Sequence, residues 1–174
     1  KREGYTFEGW SGTDIKEKDT QVTVTARPLK DRTYTANWKE NSYTIVFNVE
    51  GEVTRGEMKN IPLRYTQETT IPKNGYVCGG YKFVGWRTGG KKSEQKVYQP
   101  GDKVSRLCAT NNGTVNLYPI WEPCEYTITF DYQTGNKREK VTCKYKETYT
   151  FPTVNRLGWT FEGWSRSAGS TNVI

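Results

Sequence analysis

The chain contains no histidine. That removes the commonest general base near neutral pH and the usual nitrogen ligand of zinc. It also excludes any Ser–His or Cys–His nucleophile pair. The four cysteines, Cys78, Cys108, Cys124 and Cys143, stand 30, 16 and 19 residues apart, so there is no Cys-x-x-Cys metal or redox spacing. Neither a metal site nor a cofactor is expected. No apolar run approaches the roughly 20 residues of a membrane-crossing helix, and no membrane insertion is expected. There is a single Met, and Ala and Leu are scarce, which argues against helices. Lys and Arg number 26 for a net charge of +7, but they are scattered and form no dense run. That pattern reads as a solvated surface with some attraction to anionic partners, and nucleic acid is not expected among them. The chain opens at Lys1 in mid-pattern with no leader, and reads as part of something longer.

What the chain has is rings: twelve Tyr, six Phe and six Trp, 14% of 174 residues. Each large ring buries roughly 150–250 Å², so a few can build a small core. They are organised by one phrase that occurs three times: Gly4-Tyr5-Thr6-Phe7-Glu8-Gly9-Trp10, Gly80-Tyr81-Lys82-Phe83-Val84-Gly85-Trp86 and Gly158-Trp159-Thr160-Phe161-Glu162-Gly163-Trp164. The copies are 76 and 78 residues apart (80 − 4 and 158 − 80), a spacing that marks a repeated folding unit. Alternation inside the phrase predicts a strand, and the glycine before each Trp predicts a bulge or a close backbone approach. Trp159 stands where the other copies have Tyr5 and Tyr81, and is expected to be a larger version of the same core ring.

Other strands recur as well. Tyr43-Thr44-Ile45-Val46-Phe47 has a twin at Tyr126-Thr127-Ile128-Thr129-Phe130, displaced by 83. Tyr34-Thr35-Ala36-Asn37-Trp38 has a twin at Leu117-Tyr118-Pro119-Ile120-Trp121 with the same displacement. Pro119 lacks an amide donor, so its strand should be an edge there or have its N–H side unpaired. The runs after Phe47 and after Phe130 both predict hairpins, with Ile61, Leu63 and Tyr65 matching Val141, Cys143 and Tyr145. Ser11 to Lys18 reads as a polar turn, Val22 to Ala26 as a short strand stopped by Pro28, and residues 40–42 as a linker. Two phasings fit: units that begin at Tyr43 and Tyr126, or units that begin at the phrase. Periodicity alone does not choose between them.

Nothing here assembles a catalytic constellation. Asp14, Glu17 and Asp19 cluster, but Lys16 and Lys18 lie between them in a mixed-charge turn. Gly89-Gly90 before Lys91-Lys92 lacks the remaining phosphate-loop spacing and a following helix, so it reads as a β-turn. Asn112-Gly113-Thr114 is a glycosylation sequon only in a host that glycosylates, and is more simply a turn. Phe7, Trp10, Trp38, Phe83, Trp86, Trp121, Phe161 and Trp164 recur in register, which favours a fold-building role over a sugar-stacking platform.

The pattern Tyr126-Thr127-Ile128-Thr129-Phe130-Asp131, then Val141 and Tyr145, then Gly158-x-Thr160-Phe161-x-Gly163-Trp164, closed by a strand like Tyr118 to Trp121, resembles the Listeria–Bacteroides repeat, the B-repeat family of internalin-type bacterial surface proteins. The resemblance implies a mostly β chain of small β-grasp-like (ubiquitin-like) units in tandem, elongated, on secreted or wall-attached proteins. It implies the phasing at Tyr43 and Tyr126: the back half of a repeat over 1–39, a complete repeat over 43–122 and the front half of a repeat over 126–174. It implies a non-catalytic extracellular spacer or adhesion module at the cell surface or cell wall, with a host or cell-surface protein or a glycan as partner. Exposed aromatics and basic residues holding a glycan or protein are the alternative. The four cysteines and the long stretch 87–116 depart from the family pattern.

An even cysteine count in a strand-rich chain favours two disulfides and an oxidising compartment; four buried thiols are the alternative. Three pairings exist. If the strands at 126 and 141 form the expected hairpin, Cys124 and Cys143 share a face, which leaves Cys78 with Cys108. Half-repeats expose strand edges and one apolar face, so head-to-tail self-association through them is also expected.

Overall fold

A computed structural model describes residues 1–24, 31–89, 91–135, 137–168, 170 and 172–173. The second half of the expected strand Val22–Ala26, with Pro28, lies outside the described residues, and Val22 to Val24 are not in a strand. The described elements are β1 (Tyr5–Gly12), β2 (Ile15–Asp19), β3 (Tyr34–Glu40), β4 (Ser42–Phe47), β5 (Val53–Arg55), β6 (Ile61–Arg64), β7 (Thr69–Thr70) and β8 (Val77–Cys78). They continue with β9 (Tyr81–Thr88), a 3₁₀ turn at Lys92–Glu94, β10 (Val97–Tyr98), β11 (Lys103–Val104), β12 (Gly113–Pro123), β13 (Glu125–Asp131) and β14 (Arg138–Lys144). The chain is thus mostly β, in several open sheets, with no α-helix among the described residues. It divides into two units, Lys1–Glu122 and Pro123–Ile174.

The centre of the first unit is a five-stranded sheet in the order β10-β9-β12-β4-β6. Its first and last strands meet in the middle: β4 and β12 run parallel, with Tyr43 opposite Gly113 and Phe47 opposite Leu117. β4 shows why the sequence alternates. Tyr43, Ile45 and Phe47 are buried while Ser42, Thr44 and Val46 are half-buried, as a strand with one core face requires. The predicted hairpin is present, with Tyr43 opposite Leu63 and Ile45 opposite Ile61. Pro62 costs no central ladder bond because β6 is an edge strand. Pro119 sits inside β12, which is a central strand and not an edge. It is tolerated because the parallel ladder ends at Leu117, leaving the β4 side of β12 unpaired from there on. Tyr43, Ile45, Phe47, Leu63, Ile71, Tyr76, Trp86, Val104 and Leu117 form the core, with Phe83 and Trp121 packed against it.

The first copy of the phrase is a bulged strand. In β1, Phe7 lies opposite Trp38 on β3 and Trp10 opposite Ala36, with a register shift between Phe7 and Gly9. Residues three apart on a regular strand face opposite sides; the extra residue of the bulge returns Trp10 to the face of Phe7. Gly9 has φ +121, and a Cβ there would press on the Asp19 backbone of β2. Asn37, opposite the bulge, donates to the Gly9 carbonyl at 3.1 Å and to the Ser11 hydroxyl at 2.9 Å. The stretch Ser11–Lys18, expected as a polar turn, is a hairpin tip continuing into β2, turned at Asp14 with φ 63.

The rings repeat in space as they do in sequence. Phe7–Trp10, Phe83–Trp86 and Phe161–Trp164 have centroids 5.5, 5.1 and 5.7 Å apart at 70°, 60° and 71°. Phe47–Trp86 and Phe130–Trp164 are 4.8 and 4.9 Å apart. The second unit carries the same hairpin, β13 with β14, in the same register: Tyr126 opposite Cys143 and Ile128 opposite Val141. Its phrase, Gly158 to Trp164, is not a strand. Trp164 nonetheless packs on Phe130, and its Nε1 donates to the Pro152 carbonyl at 2.8 Å.

The expected linker at 40–42 is the tightest polar node in the chain. Asn41 is 7% exposed. Its backbone N–H donates to the Gly4 carbonyl at 2.9 Å, and its carbonyl accepts from Tyr65 N–H at 2.8 Å. Its Oδ1 accepts from the Thr6 hydroxyl at 2.6 Å and its Nδ2 donates to the Ala109 carbonyl at 2.7 Å. Gly4, with φ +75, lies so close to the Tyr65 ring that a Cβ would collide with it. Segments 1–39 and 43–122 are therefore fastened into one unit. Asn41→Leu keeps the volume but leaves the Ala109 carbonyl and the Thr6 hydroxyl without these partners. At about 1 kcal/mol for each hydrogen bond lost from this buried side chain, the urea midpoint should fall clearly, whereas Asn48→Leu, at a half-buried site just past the end of β4, should lower it less.

Candidate binding surfaces and the cysteines

The recurring aromatics do not share one setting. Trp86 is fully buried and Trp121 packs against the same core. Trp10 is 37% exposed. With Tyr5, Phe7, Ala36 and Trp38 it lines an open cleft of about 910 Å³, bounded by Lys1, Arg2, Glu3, Ala109 and Thr110. Phe7 and Trp38 are 5.2 Å apart, and the Arg2 guanidinium sits 3.8 Å over the Tyr5 ring. This is the face that in the five-stranded sheet is covered by Phe47, which packs on Trp86. In the second unit Phe130 is buried between Tyr149, Phe151 and Trp164.

Trp159 departs from expectation. It is 69% exposed and lies under the Arg156 guanidinium at 4.7 Å; it is not a core ring. The phrase has no strand here to turn that position toward the hairpin.

A second, polar cleft of about 370 Å³ lies where β3 passes into β4, lined by Lys39, Glu40, Ser42, Arg64, Asn111 and Asn112. Glu40 accepts from Thr66 N–H at 2.7 Å and from the Thr66 hydroxyl. Those two donors hold its carboxyl below the usual glutamate range, helped by the Arg64 charge. Tyr43, Tyr76 and Tyr98 are pushed above the ordinary phenol range by burial, as expected of rings used for packing. The acidic cluster builds no site: Asp14 is at a turn and Glu17 and Asp19 lie on the exposed strand β2. Among the described residues no group of His, Cys, Asp and Glu has the geometry of a metal site. Among the described residues no helix is long and apolar enough to cross a membrane.

All four cysteines are free thiols, and the two expected disulfides are absent. The ladder gives the reason for Cys124 and Cys143. Cys143 stands opposite Tyr126, and the Cys124 carbonyl accepts from Tyr145 N–H, so the two thiols are diagonal neighbours on one face. Diagonal Cβ atoms are about 7 Å apart, beyond the ~4.5 Å that a disulfide spans. Cys78 is buried opposite Val53, while the Cys108 thiol lies 3.9 Å from the Thr110 carbonyl. Cys143 fills the place of Leu63, as expected.

The family follows from comparison. The Listeria–Bacteroides repeat domain matches residues 43–118 and 126–174, and the divergent InlB B-repeat domain matches residues 2–42. The chain belongs to the Listeria–Bacteroides repeat family. Two proteins of Evansella cellulosilytica bearing membrane-protein names, one of them Gly-rich, are each 26% identical to this repeat segment over 94% of it, which spans 19% and 23% of their lengths. Internalin H of Listeria monocytogenes is 32% identical over 94 residues, 52% of this segment and 16% of that protein. The repeat segment thus spans about a fifth of the relatives it matches. No solved structure matches it.

The thiol assignment is checked by counting. The air-exposed protein, denatured without reductant, should yield four reactive thiols with Ellman's reagent; a Cys124–Cys143 crosslinked peptide in the digest contradicts the register above.

Proposed function

We propose that this chain is a non-catalytic repeat segment of an extracellular cell-surface protein, acting as a spacer or adhesion module. The observation that carries the reading is the Phe–Trp ring pair, made three times at nearly one geometry and held in the core of the five-stranded sheet, with Trp86 buried and Phe83 packed against it. Side chains held against one another in that way are committed to packing. Five-stranded order with parallel first and last strands at the centre fits a β-grasp-like unit without a helix laid across it. Asn41 supports a mechanical role, because it fastens one repeat segment to the next inside the first unit. The internalin relative supports a surface setting.

The alternative reading, a glycan- or protein-binding module, has one observation in its favour: the open aromatic face of Tyr5, Phe7, Trp10 and Trp38. Its counterpart in the five-stranded sheet is core, which favours packing over stacking.

Single-molecule stretching tests the spacer reading. Residues 1–122 should yield in one event that releases roughly 400 Å of chain, at about 3.5 Å per residue. Separate early loss of residues 1–39, a step of roughly 130 Å by the same measure, contradicts it. Antibody labelling of the repeat on intact cells tests the surface setting.

A further inference from the structure

The polar cleft between β3, β4 and β6 has a lining in which each side-chain amide oxygen and one oxygen of Glu40 already hold a donor. Asn111 Oδ1 accepts from Ser42 N–H at 3.1 Å. Asn112 Oδ1 accepts from the Ser42 hydroxyl at 3.0 Å. Gln67 Oε1 accepts from Arg64 N–H at 3.2 Å. One oxygen of Glu40 takes both donors of Thr66. What these groups still present is their donor side: the amide NH₂ groups of Asn111, Asn112 and Gln67. Lys39 and Arg64 flank them, and among the described residues neither is within ion-pair distance of a carboxylate.

The arrangement is fixed by the backbone. Asn112 has φ 57, and its N–H donates to the Ser42 carbonyl at 2.7 Å. That bond pins the loop before β12 onto the start of β4. Beside it Asn41 holds the same junction through buried bonds. From Ser42, Arg64 and Asn112 the cleft continues as a groove of about 340 Å³ past Thr44, Pro62 and Gln67. Lys39 and Arg64 together outweigh the one negative charge of Glu40, whose carboxylate is partly engaged by Thr66, and a concave surface of amide donors with a net positive charge is complementary to an anion with several acceptor oxygens.

We propose that this cleft binds an oxyanion, the carboxylate or sulfate group of an acidic saccharide. The cleft of about 370 Å³ and the adjoining groove of about 340 Å³ leave room for a sugar carrying the group. A nucleic acid fits less well, because the only ring in the lining, Tyr43, is buried and offers no face for stacking. The proposal goes beyond the spacer reading and does not rest on it: the cleft lies at the joint between segments and shares no lining residue with the aromatic cleft.

The test is amide NMR on the whole ¹⁵N-labelled chain. Sodium sulfate is titrated against sodium chloride at constant ionic strength, followed by a sulfated disaccharide and its desulfated counterpart. Saturable shifts are expected at Ser42, Arg64, Gln67, Asn111 and Asn112 with sulfate, and tighter ones with the sulfated disaccharide. Arg64→Gln with Lys39→Gln should weaken both at least tenfold. Both residues are exposed, so the fold should persist, checked by an unchanged amide spectrum elsewhere. Lys103→Gln, on β11 beside Glu68, should leave binding unchanged. Absence of saturable shifts at these amides, or equal weakening by Lys103→Gln, overturns the site. Equal binding of the sulfated and desulfated disaccharides, or saturable shifts with sulfate but none with the sulfated disaccharide, overturns the acidic-saccharide assignment.

Discussion

A strand that must present two large rings to the same core meets a geometrical obstacle when the rings are three residues apart: the pleat sends them to opposite faces. The bulge at Glu8–Gly9 removes the obstacle. By inserting one residue it brings Trp10 back beside Phe7, and the same Phe-x-Gly-Trp run places Trp86 beside Phe83 and Trp164 beside Phe161. Tilted ring pairs of this kind add about 0.5–1.5 kcal/mol beyond the area they bury. In a chain so poor in Leu, Ile and Met, they take over much of the work that aliphatic interdigitation does in other small folds. The closing strand supplies a second Trp against the same Phe, and the opening hairpin supplies Phe47 or Phe130 against the first.

Much of this was legible in the residues. Matching Ile61, Leu63 and Tyr65 to Val141, Cys143 and Tyr145 predicted that Leu63 and Cys143 occupy one slot, and both stand opposite the first Tyr of their hairpin. Alternation predicted the buried face of β4, and the glycine before Trp10 predicted the bulge of β1. These features are local or are carried by repetition, and a repeat acts as its own internal comparison. The chain is accordingly mostly β, as expected.

Other features depended on contacts that no local pattern encodes. Asn41 looked like linker because a polar residue between two strands usually is; its four partners come from residues 4, 6, 65 and 109. Its counterpart at the next junction, 83 residues on, is Cys124, whose side chain cannot make those bonds. Shared-face parity suggested a Cys124–Cys143 bridge, but register sets diagonal against opposite, and register was what parity alone left out. For Pro119 the sequence offered an edge or an unpaired N–H side, and only the length of the parallel ladder, which ends at Leu117, decides for the second. Trp159 followed the phrase in sequence but not in space, since that copy lacks its strand. The polar cleft at the β3–β4 joint gave no signal either, because Lys39, Arg64 and Asn111 are brought together only by the fold.

The account rests on aromatics being committed to packing, and the two best-matched tryptophans test that most directly. Trp86 is fully buried and Trp10 is 37% exposed at the same position of the phrase. Equilibrium urea unfolding of Trp86→Ala and Trp10→Ala should show a loss of about 3–5 kcal/mol for the first, the range for a buried large ring, and a much smaller one for the second. Equal, small losses at both positions would contradict the account, since the ring of Trp86 would then not be holding the sheet together.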